Sequence, residues 1–399
     1  MAVGLVAWLA RRLPVELLWS GETTARDSVG SDTAVILKRP MVFYQRVGTR
    51  GLIGLGESYQ AGDWDCNDLA GFLTTFITRI DELIPSSLRR LRRFGGVPRP
   101  AAEDNTISGA GHNIERHYDL SSEMFRLFLD DTMTYSCALF ESDFAGHLTA
   151  DPTLLKRGQV RKIDRILDIA RVAHETRLLE IGTGWGELAI RAAQRGAEVR
   201  TITISREQYS HAIRRVAAAD VADRVTVDLL DYRELEAHLG THGSYDAIVS
   251  VEMLEAVGER YWVTYFAMLD RMLAPGGRIG LQAITTRHDL LDTAMRKQSW
   301  LNKYIFPGGI LPSVPAIESV ISRCTRLQML EQFEFGNHYA STLRLWRQNF
   351  NDHIQELEQL GFDETFRRTW NLYFAICEAG FRAGRISVSQ FGLGRRNER

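Results

Sequence analysis

Between residues 156 and 285, short apolar runs alternate with segments in which apolar residues recur every three or four positions. The runs predict buried strands, and the periodic segments predict helices that pack on those strands. Strands are predicted at residues 178–181, 197–204, 225–230, 247–251 and 279–285, and helices at 156–170, 188–193, 206–219 and 261–273. This alternation indicates an α/β class with a mostly parallel sheet that carries helices on both faces.

The first 85 residues have a different pattern and predict a small α+β domain. Residues 41–56 alternate apolar with polar side chains around turn glycines, which predicts a hairpin-like β unit. Residues 67–84 repeat apolar side chains at helical spacing. Residues 7–19 predict an amphipathic helix, which either packs on its own domain or contacts a membrane surface.

Residues 86–112 predict a linker between this small domain and a larger domain at 113–399. The segment contains four arginines at positions 89–93, followed by glycine, proline and serine. The arginines form either a solvated helix face or a contact for anionic lipid head groups.

The part after the predicted sheet adds helices. Residues 300–313 are rich in aromatic residues and glycine, and predict a loop that covers a pocket. Residues 341–350 predict an amphipathic helix. Residues 362–381 predict a helix with an aromatic stripe, which is typical of core packing.

Composition narrows the function classes. With 399 residues the chain has room for two domains, and 45% hydrophobic with 25% charged residues is ordinary for a globular protein. The net charge of −2 provides no basic field, so nucleic acid is not an expected partner. The four cysteines form no C-x-x-C pair, so we expect no metal site and a reducing compartment.

The most informative turn follows the strand at 178–181. Glu180, Gly182, Gly184 and Gly186 form the pattern E-x-G-x-G-x-G between a strand and a helix. Such a turn lets the backbone approach a ligand at a helix N-terminus. The spacing favours S-adenosylmethionine (SAM) over a dinucleotide. The second strand also ends without the carboxylate that a dinucleotide ribose requires, although Gln208 could substitute for it.

Seven segments between residues 54 and 384 together resemble the cyclopropane-fatty-acyl-phospholipid synthases, a family that includes the mycolic acid cyclopropane synthases. The segments are GLGESYQAGDW (54–64), HYDLSSEMFRLFLDDTMTYSCALF (117–140), LEIGTGWGELAIRAA (179–193), TISREQ (203–208), SVEMLEAVGERYW (250–262), NKYIFPGGILPS (302–313) and CEAGFRAG (377–384). The first segment resembles the phospholipid-acting branch. GTGWGE, with Thr183 where many members have cysteine, resembles the actinobacterial enzymes that make mid-chain methyl-branched acids of the tuberculostearic type.

The resemblance implies a Rossmann-like SAM-dependent methyltransferase domain with inserted lid helices. It also implies a set of cofactor-binding residues, to which we add Glu180 from the strand end. The full set is Tyr135, Ser136, Glu180, Gly182, Gly184, Gly186, Thr203, Ser205, Gln208, Asp231 and Tyr232.

In this family a bicarbonate ion lies beside the methyl group that is transferred. The resemblance assigns its ligands to five catalytic positions: Cys137, Glu255, Gln282, Tyr339 and Cys377. Gln282 stands where the family often has histidine, and it cannot titrate. By residue type alone, Cys137 and Cys377 are equally typical of buried thiols. Glu252 matches no family ligand, and we interpret it as a structural or supporting group.

The implied activity is SAM-dependent transfer of one carbon to the cis double bond of a phospholipid acyl chain. The main expectation is a cyclopropane fatty acid, formed through a carbocation that bicarbonate deprotonates. The alternative is a 10-methylene chain, the precursor of 10-methylstearate. A third hypothesis is an inactive membrane-binding scaffold.

The expected partners follow from this activity. They are membrane phospholipids with unsaturated chains, with a homodimer and a flavin-dependent reductase as further candidates. The expected location is the cytoplasm, peripheral on the inner face of the membrane. Acyl length, double-bond position and head group are left open by the sequence.

Overall fold

The structure is a computed structural model that describes residues 16–19, 33–83, 97–100, 105–106, 122–141, 152–240 and 244–396. Its strands are β1 (Glu16–Trp19), β2 (Ala34–Leu37), β3 (Trp64–Cys66), β4 (Arg177–Ile181), β5 (Glu198–Thr203), β6 (Val225–Leu229), β7 (Tyr245–Val251), β8 (Leu273–Thr286), β9 (Leu327–Glu334) and β10 (Ile386–Arg395).

The helices fall into three groups along the described chain. Those before the large sheet are α1 (Pro40–Gln60), α2 (Leu69–Leu83), α3 (Ser122–Arg126) and α4 (Pro152–Ile169). Those between its strands up to β8 are α5 (Glu187–Gln194), α6 (Arg206–Ala218), α7 (Leu235–Leu239), α8 (Leu254–Val257) and α9 (Trp262–Met272), with a 3₁₀ turn at Glu259–Tyr261. Those after β8 are α10 (His288–Arg296), α11 (Trp300–Tyr304), α12 (Val314–Cys324), α13 (Gly336–Asp352), α14 (Ile354–Gln359) and α15 (Glu364–Arg382).

The large sheet of the described chain has seven strands in the order β6-β5-β4-β7-β8-β10-β9. The pairs from β6 to β8 are parallel, and β10 runs antiparallel to both β8 and β9. This confirms the predicted α/β class with a mostly parallel sheet. The register pairs Ile181 with Ser250 and Val251 with Gln282, so the carboxyl ends of β4, β7 and β8 meet at one edge.

The sheet is buried because helices cover both faces, as the apolar runs predict. On one face, Ile166 and Leu167 of α4 pack with the α5 alanines. On the other face, Tyr265 and Leu269 of α9 pack against β4 and β7. All four of these side chains are fully buried.

The predicted hairpin at 41–56 is wrong, because α1 covers this segment. Phe43, Tyr44 and Val47 lie on one helical face in an aromatic core, and this spacing outweighs the local alternation. The glycines have a different role from the one predicted. Gly51 has φ of 57° and kinks the helix, and Gly56 lies against the indole ring of Trp300.

The helix predicted at 7–19 is wrong over its last four residues. Glu16–Trp19 form strand β1, which pairs in parallel with β2. Residues 7–15 lie outside the described residues, as do the arginines at 89–93. Within the predicted linker, Pro98 forms a β-bridge with Lys297, so this part of the segment contacts the larger unit.

The N-terminal elements pack on α15. Gln60 Nε2 donates to Thr369 Oγ1 (2.8 Å), and Arg368 forms an ion pair with Asp65 (2.7 Å). The hydrophobic cluster of α1 and α2 continues into α13 and α15. The domain boundaries at 85 and 112 remain predictions.

The segment predicted as a loop at 300–313 begins as helix α11, with Ser299 as its N-cap. The aromatic stripe of α15 confirms the core prediction, since Trp370 and Phe374 are fully buried. None of the helices in the described ranges combines the length and the hydropathy that a membrane span requires.

Candidate active site

A first cavity lies at the carboxyl ends of β4, β5 and β7, where parallel sheets of this kind bind ligands. The glycine turn forms its floor. Gly182 has φ of 98°, and a Cβ there would lie 2.8 Å from the Cγ of Met253. Only glycine accommodates both the left-handed conformation and this close approach.

Most of the predicted cofactor-binding residues line this cavity: Tyr135, Ser136, Glu180, Gly182, Gly184, Thr203, Gln208, Asp231 and Tyr232. The remaining two do not. Gly186, with φ of 91°, ends the turn directly before α5 and packs near Ala212. Ser205 is the N-cap of α6 and accepts from the backbone N–H of Gln208 (3.2 Å).

Two buried atoms of this cavity have no hydrogen-bond partner in the described structure, namely Oε2 of Glu180 and the hydroxyl of Tyr232. Burial raises the pKa of Glu180 to about 8. Buried polar groups normally find partners, so these two atoms fit a polar ligand such as the ribose or amino-acid part of SAM. Asp231 is held in place by Arg233, whose guanidinium donates to both carboxylate oxygens.

The second cavity lies beside the first and is mostly apolar. Its wall includes Leu301, Phe306, Ile310, Leu311, Leu343 and Phe381. Helices α11, α13 and α15, which are inserted around the sheet, supply much of this surface. A concave apolar wall of this kind suits a hydrocarbon chain.

Three of the predicted catalytic residues line the second cavity: Glu255, Tyr339 and Cys377. Cys137 and Gln282 do not line it, and both are fully buried. The thiol of Cys137 donates to the backbone carbonyl of Ala138 (3.3 Å). Burial raises the pKa of Cys377 to about 12, so this thiol is neutral.

Glu252 lies where the two cavities meet. It lines both of them, a property that it shares with Asn105, Tyr135 and Ala256 among the described residues. It directly follows β7, and its φ of 52° is unusual for a residue other than glycine. Strained backbone of this kind occurs preferentially at functional sites.

Three groups that the resemblance assigned to bicarbonate donate hydrogen bonds to Glu252 instead. The backbone N–H of Cys137 (2.9 Å) and Nε2 of Gln282 (2.8 Å) donate to Oε1. The Tyr339 hydroxyl donates to Oε2 (2.6 Å). Bicarbonate itself remains a prediction, and the donors available to it are occupied by a carboxylate of the chain.

A relay of side-chain amides sets the direction of the Gln282 hydrogen bond. Gln390 Nε2 donates to Oε1 of Gln282 (3.0 Å), and Arg165 donates to Oε1 of Gln390 (2.9 Å). With its oxygen used in this way, Gln282 presents its NH₂ group to Glu252. The amide therefore acts as a donor to an anion.

The charges of the site follow from burial and from these contacts. Burial raises the pKa of Glu252, while the Cys137 N–H, Lys162, Tyr339 and Gln282 all act to lower it. The pKa of Glu255 is raised to about 8. Burial is the larger cause, and the nearby charge of Glu252 is the smaller one. We therefore assign the negative charge to Glu252, which has the donors, and a proton to Glu255, whose Oε2 has no partner in the described structure.

Lys162 is a functional candidate that the sequence analysis missed. It is only 1% exposed, lines the first cavity, and donates to the Ser136 hydroxyl. Burial lowers its pKa to about 8, and Glu252 acts in the opposite direction. The sequence analysis assigned residues 156–170 only as a helix, and nothing in that pattern distinguishes Lys162 as a buried side chain.

Sheet order, glycine turn and cavity position together define a Rossmann-like SAM-dependent methyltransferase. A sequence profile of the family described as "Mycolic acid cyclopropane synthetase" matches residues 107–391. The chain belongs to this family, as the sequence resemblance implied.

Individual relatives agree with this assignment. The chain is 46% identical to the tuberculostearic acid methyltransferase UfaA1 of Mycobacterium tuberculosis, over 96% of this chain and 88% of that protein. It is 33% identical to the cyclopropane-fatty-acyl-phospholipid synthase of Escherichia coli, over 90% and 88%. The crystal structure of mycolic acid cyclopropane synthase CmaA1 complexed with SAH and CTAB superposes with a TM-score of 0.62 at 29% identity, over 74% and 98%.

Proposed function

We propose that this protein transfers a methyl group from SAM to the double bond of a phospholipid acyl chain and releases a 10-methylene chain, the precursor of 10-methylstearate. The observation that carries the proposal is the 46% identity to a tuberculostearic acid methyltransferase along almost the whole chain, against 33% to a cyclopropane synthase. This favours the alternative of the sequence analysis over its main expectation.

Bound SAM supplies a methyl group that is activated by the positive charge of its sulfonium sulfur. The residues of the chain bind the cofactor and the acyl chain, orient them for the reaction, and exclude water from the site. The turn at Gly182 and Gly184 and the unpaired atoms of Glu180 and Tyr232 would hold the cofactor. The apolar second cavity would hold the acyl chain, with its double bond near Glu252.

Aromatic side chains between the cavities would stabilise the positive charge that develops on the acyl chain. The Tyr135 and Tyr373 hydroxyls are 2.7 Å apart, and the rings of Phe306 and Tyr373 pack edge to face at 5.5 Å. Tyr135, Phe306 and Tyr373 all line the second cavity. Ring faces attract cations without acting as nucleophiles, which protects a reactive carbocation.

The cyclopropane product is the second candidate. It is supported by the family description and by the relative from Escherichia coli. Both products follow the same first step. The C–H electron pair left by the lost proton closes the three-membered ring in one case, and after a hydride shift it forms the exocyclic double bond in the other. They have equal mass, so product structure has to be measured directly.

The test uses purified protein, SAM and vesicles of oleoyl phospholipid, followed by chromatography and proton NMR of the released fatty acids. We expect vinylidene protons of an exocyclic methylene. Shielded ring protons of a cyclopropane would contradict the proposed product but not methyl transfer itself. A reaction without SAM is the control.

We further propose that the protein works at the inner membrane surface, where its phospholipid substrate lies. Saturation of a methylene branch needs a hydride donor. We therefore propose a flavin-dependent reductase as the partner that completes the branched chain. Adding such a reductase with its reductant to the assay should convert the methylene product into the methyl-branched acid.

A further inference from the structure

We propose that the Glu252 carboxylate takes the place of bicarbonate in this protein and is the base that removes the proton from the alkylated acyl chain. This inference rests on the proposed methyl transfer and holds for either product. It assigns a catalytic role to a residue that the sequence analysis treated as structural.

The hydrogen-bond donors that a bound anion would need are already occupied by Glu252. A small anion in this site would need the Cys137 N–H, the Gln282 amide and the Tyr339 hydroxyl, and all three already donate to Glu252 at 2.6–2.9 Å. A second anion would have to displace the carboxylate or lie beside it in a buried site. Like charges in such a site repel strongly, which disfavours simultaneous binding.

Glu252 also lies where a base for this reaction is needed. It is the carboxylate that lines both the first and the second cavity, whereas Glu255 lines only the second cavity and Glu180 only the first. A base for this reaction must reach the carbon that has just passed from cofactor to acyl chain. Under the proposed function that carbon would pass between the two cavities, and Glu252, with its strained backbone, lies at their junction.

The contacts of Glu252 also favour its charged form. Burial raises the pKa of Glu252, but the carboxylate accepts three hydrogen bonds and Lys162 supplies a positive charge nearby, and these contacts act to keep it ionised. Glu255 carries the proton of the pair, because its Oε2 has no partner in the described structure and its pKa is raised to about 8. An ionised carboxylate beside a protonated one is the division of roles that a general base requires.

The proposed reaction has three stages on the acyl chain: methyl addition, a hydride shift and loss of a proton. The alkene π pair forms the bond to the methyl carbon, and the sulfur keeps the pair of the bond that breaks. A hydride shift then moves the positive charge to the carbon that carries the methyl group. Glu252 takes one proton from that methyl group, and the C–H pair becomes the exocyclic double bond. A cation and a carboxylate thus become a neutral alkene and a neutral carboxylic acid.

The test counts methyl groups transferred from labelled SAM to lipid, in carbonate-free buffer and in buffer with added bicarbonate. We expect the wild type to be equally active in both. Glu252→Gln should lose about 100-fold or more, the usual effect of removing a general base, while SAM affinity stays within about threefold. Glu259→Gln, which changes an exposed glutamate, is the matched control and should retain activity.

Glu252→Gly provides a second variant, because it vacates the anion site. Added bicarbonate or formate should restore part of its activity and leave Glu252→Gln inactive. Wild-type activity that disappears in carbonate-free buffer would overturn the proposal, and so would a Glu252→Gln variant within about threefold of wild type. These measurements count transferred methyl groups, so they do not depend on which product forms.

A binding measurement separates this inference from the proposed function. The carbon-13 NMR signal of labelled bicarbonate should broaden when Glu252→Gly with bound S-adenosylhomocysteine is added. The wild type with the same ligand should not broaden this signal. Equal broadening by both proteins would overturn the inference even if the enzyme assignment stands. No methyl transfer by wild type in either buffer would instead contradict the proposed function.

Discussion

At the residue scale, burial shifts the pKa values of several ionisable side chains of this protein. Glu180, Glu255 and Lys162 each have a pKa near 8, although the ordinary value is 4.5 for the two glutamates and 10.5 for the lysine. Burial is the largest cause in all three, and it favours the neutral form of each group. Their protonation therefore changes in the range in which the enzyme would be assayed.

Glu180→Gln tests this effect on stability. Between about pH 4.5 and pH 8, folded Glu180 keeps a proton that the unfolded chain releases, so stability falls as pH rises. The variant lacks this contribution, so its free energy of unfolding should fall less over the same interval. Urea unfolding without SAM, at the two ends of the interval, measures the difference. Glu255 is present in both proteins and cancels, so parallel pH dependences would contradict the assignment.

Tyr339→Phe tests the hydrogen bonds of the anion site. The Tyr339 hydroxyl is one of the groups that lower the pKa of Glu252, together with the Cys137 N–H, Lys162 and Gln282. Without it, Glu252 should protonate more readily, so the acid limb of the kcat/KM profile should move to higher pH. SAM affinity should not change. A lower rate with an unmoved acid limb would show that Tyr339 has another role.

At the element scale, the contact of α1 with α11 joins the N-terminal unit to the wall of the second cavity. Glu57 of α1 accepts from Lys303 Nζ (2.6 Å) and the Tyr304 hydroxyl (2.9 Å), and Arg50 pairs with its other oxygen (2.7 Å). Gln60 accepts from the indole N–H of Trp300 (3.0 Å). Helix α11 is therefore fixed from outside the larger unit.

Gly56→Ala should disturb this contact. A Cβ at position 56 would lie 2.3 Å from the Trp300 ring, so α11 would have to shift. We expect methyl transfer to lipid to fall, because α11 forms part of the second cavity. SAM affinity should stay unchanged, because α11 does not line the first cavity. Gly48→Ala, at an exposed position of the same helix, is the control and should be neutral or slightly stabilising. Equal activity of the two variants would argue against coupling through α11.

At the scale of the whole molecule, the two adjacent cavities would hold the cofactor and the acyl chain separately under the proposed function. Leu343 of α13 is 1% exposed and lines only the second cavity. Leu343→Phe should narrow this cavity and reduce methyl transfer about tenfold or more, with SAM affinity as the check of folding. Titration with SAM and assay on oleoyl vesicles measure the two effects. A loss of SAM affinity as large as the loss of activity would mean that the cavities are not independent.

Membrane association is a prediction for the whole molecule, from the arginines at 89–93, which lie outside the described residues. If they contact anionic head groups, sedimentation with anionic vesicles should exceed that with zwitterionic vesicles and should decrease with added salt. Binding that responds neither to anionic lipid nor to salt would exclude the electrostatic version of this prediction.

The sequence by itself determined the sheet and the glycine turn, and the family resemblance supplied most of the predicted residues that line the first cavity. Periodicity and turn chemistry are local, and β4, the turn at 182–186 and α5 are contiguous in the chain. Only the tertiary structure decided that three donors converge on Glu252. Its donors lie 115, 30 and 87 residues away, and the sheet register and helix α13 bring them together. Local patterns also misassigned 41–56, because an aromatic core from distant elements selects the helix there. A buried charge is defined by the neighbours that compensate it, and those neighbours are set by the fold.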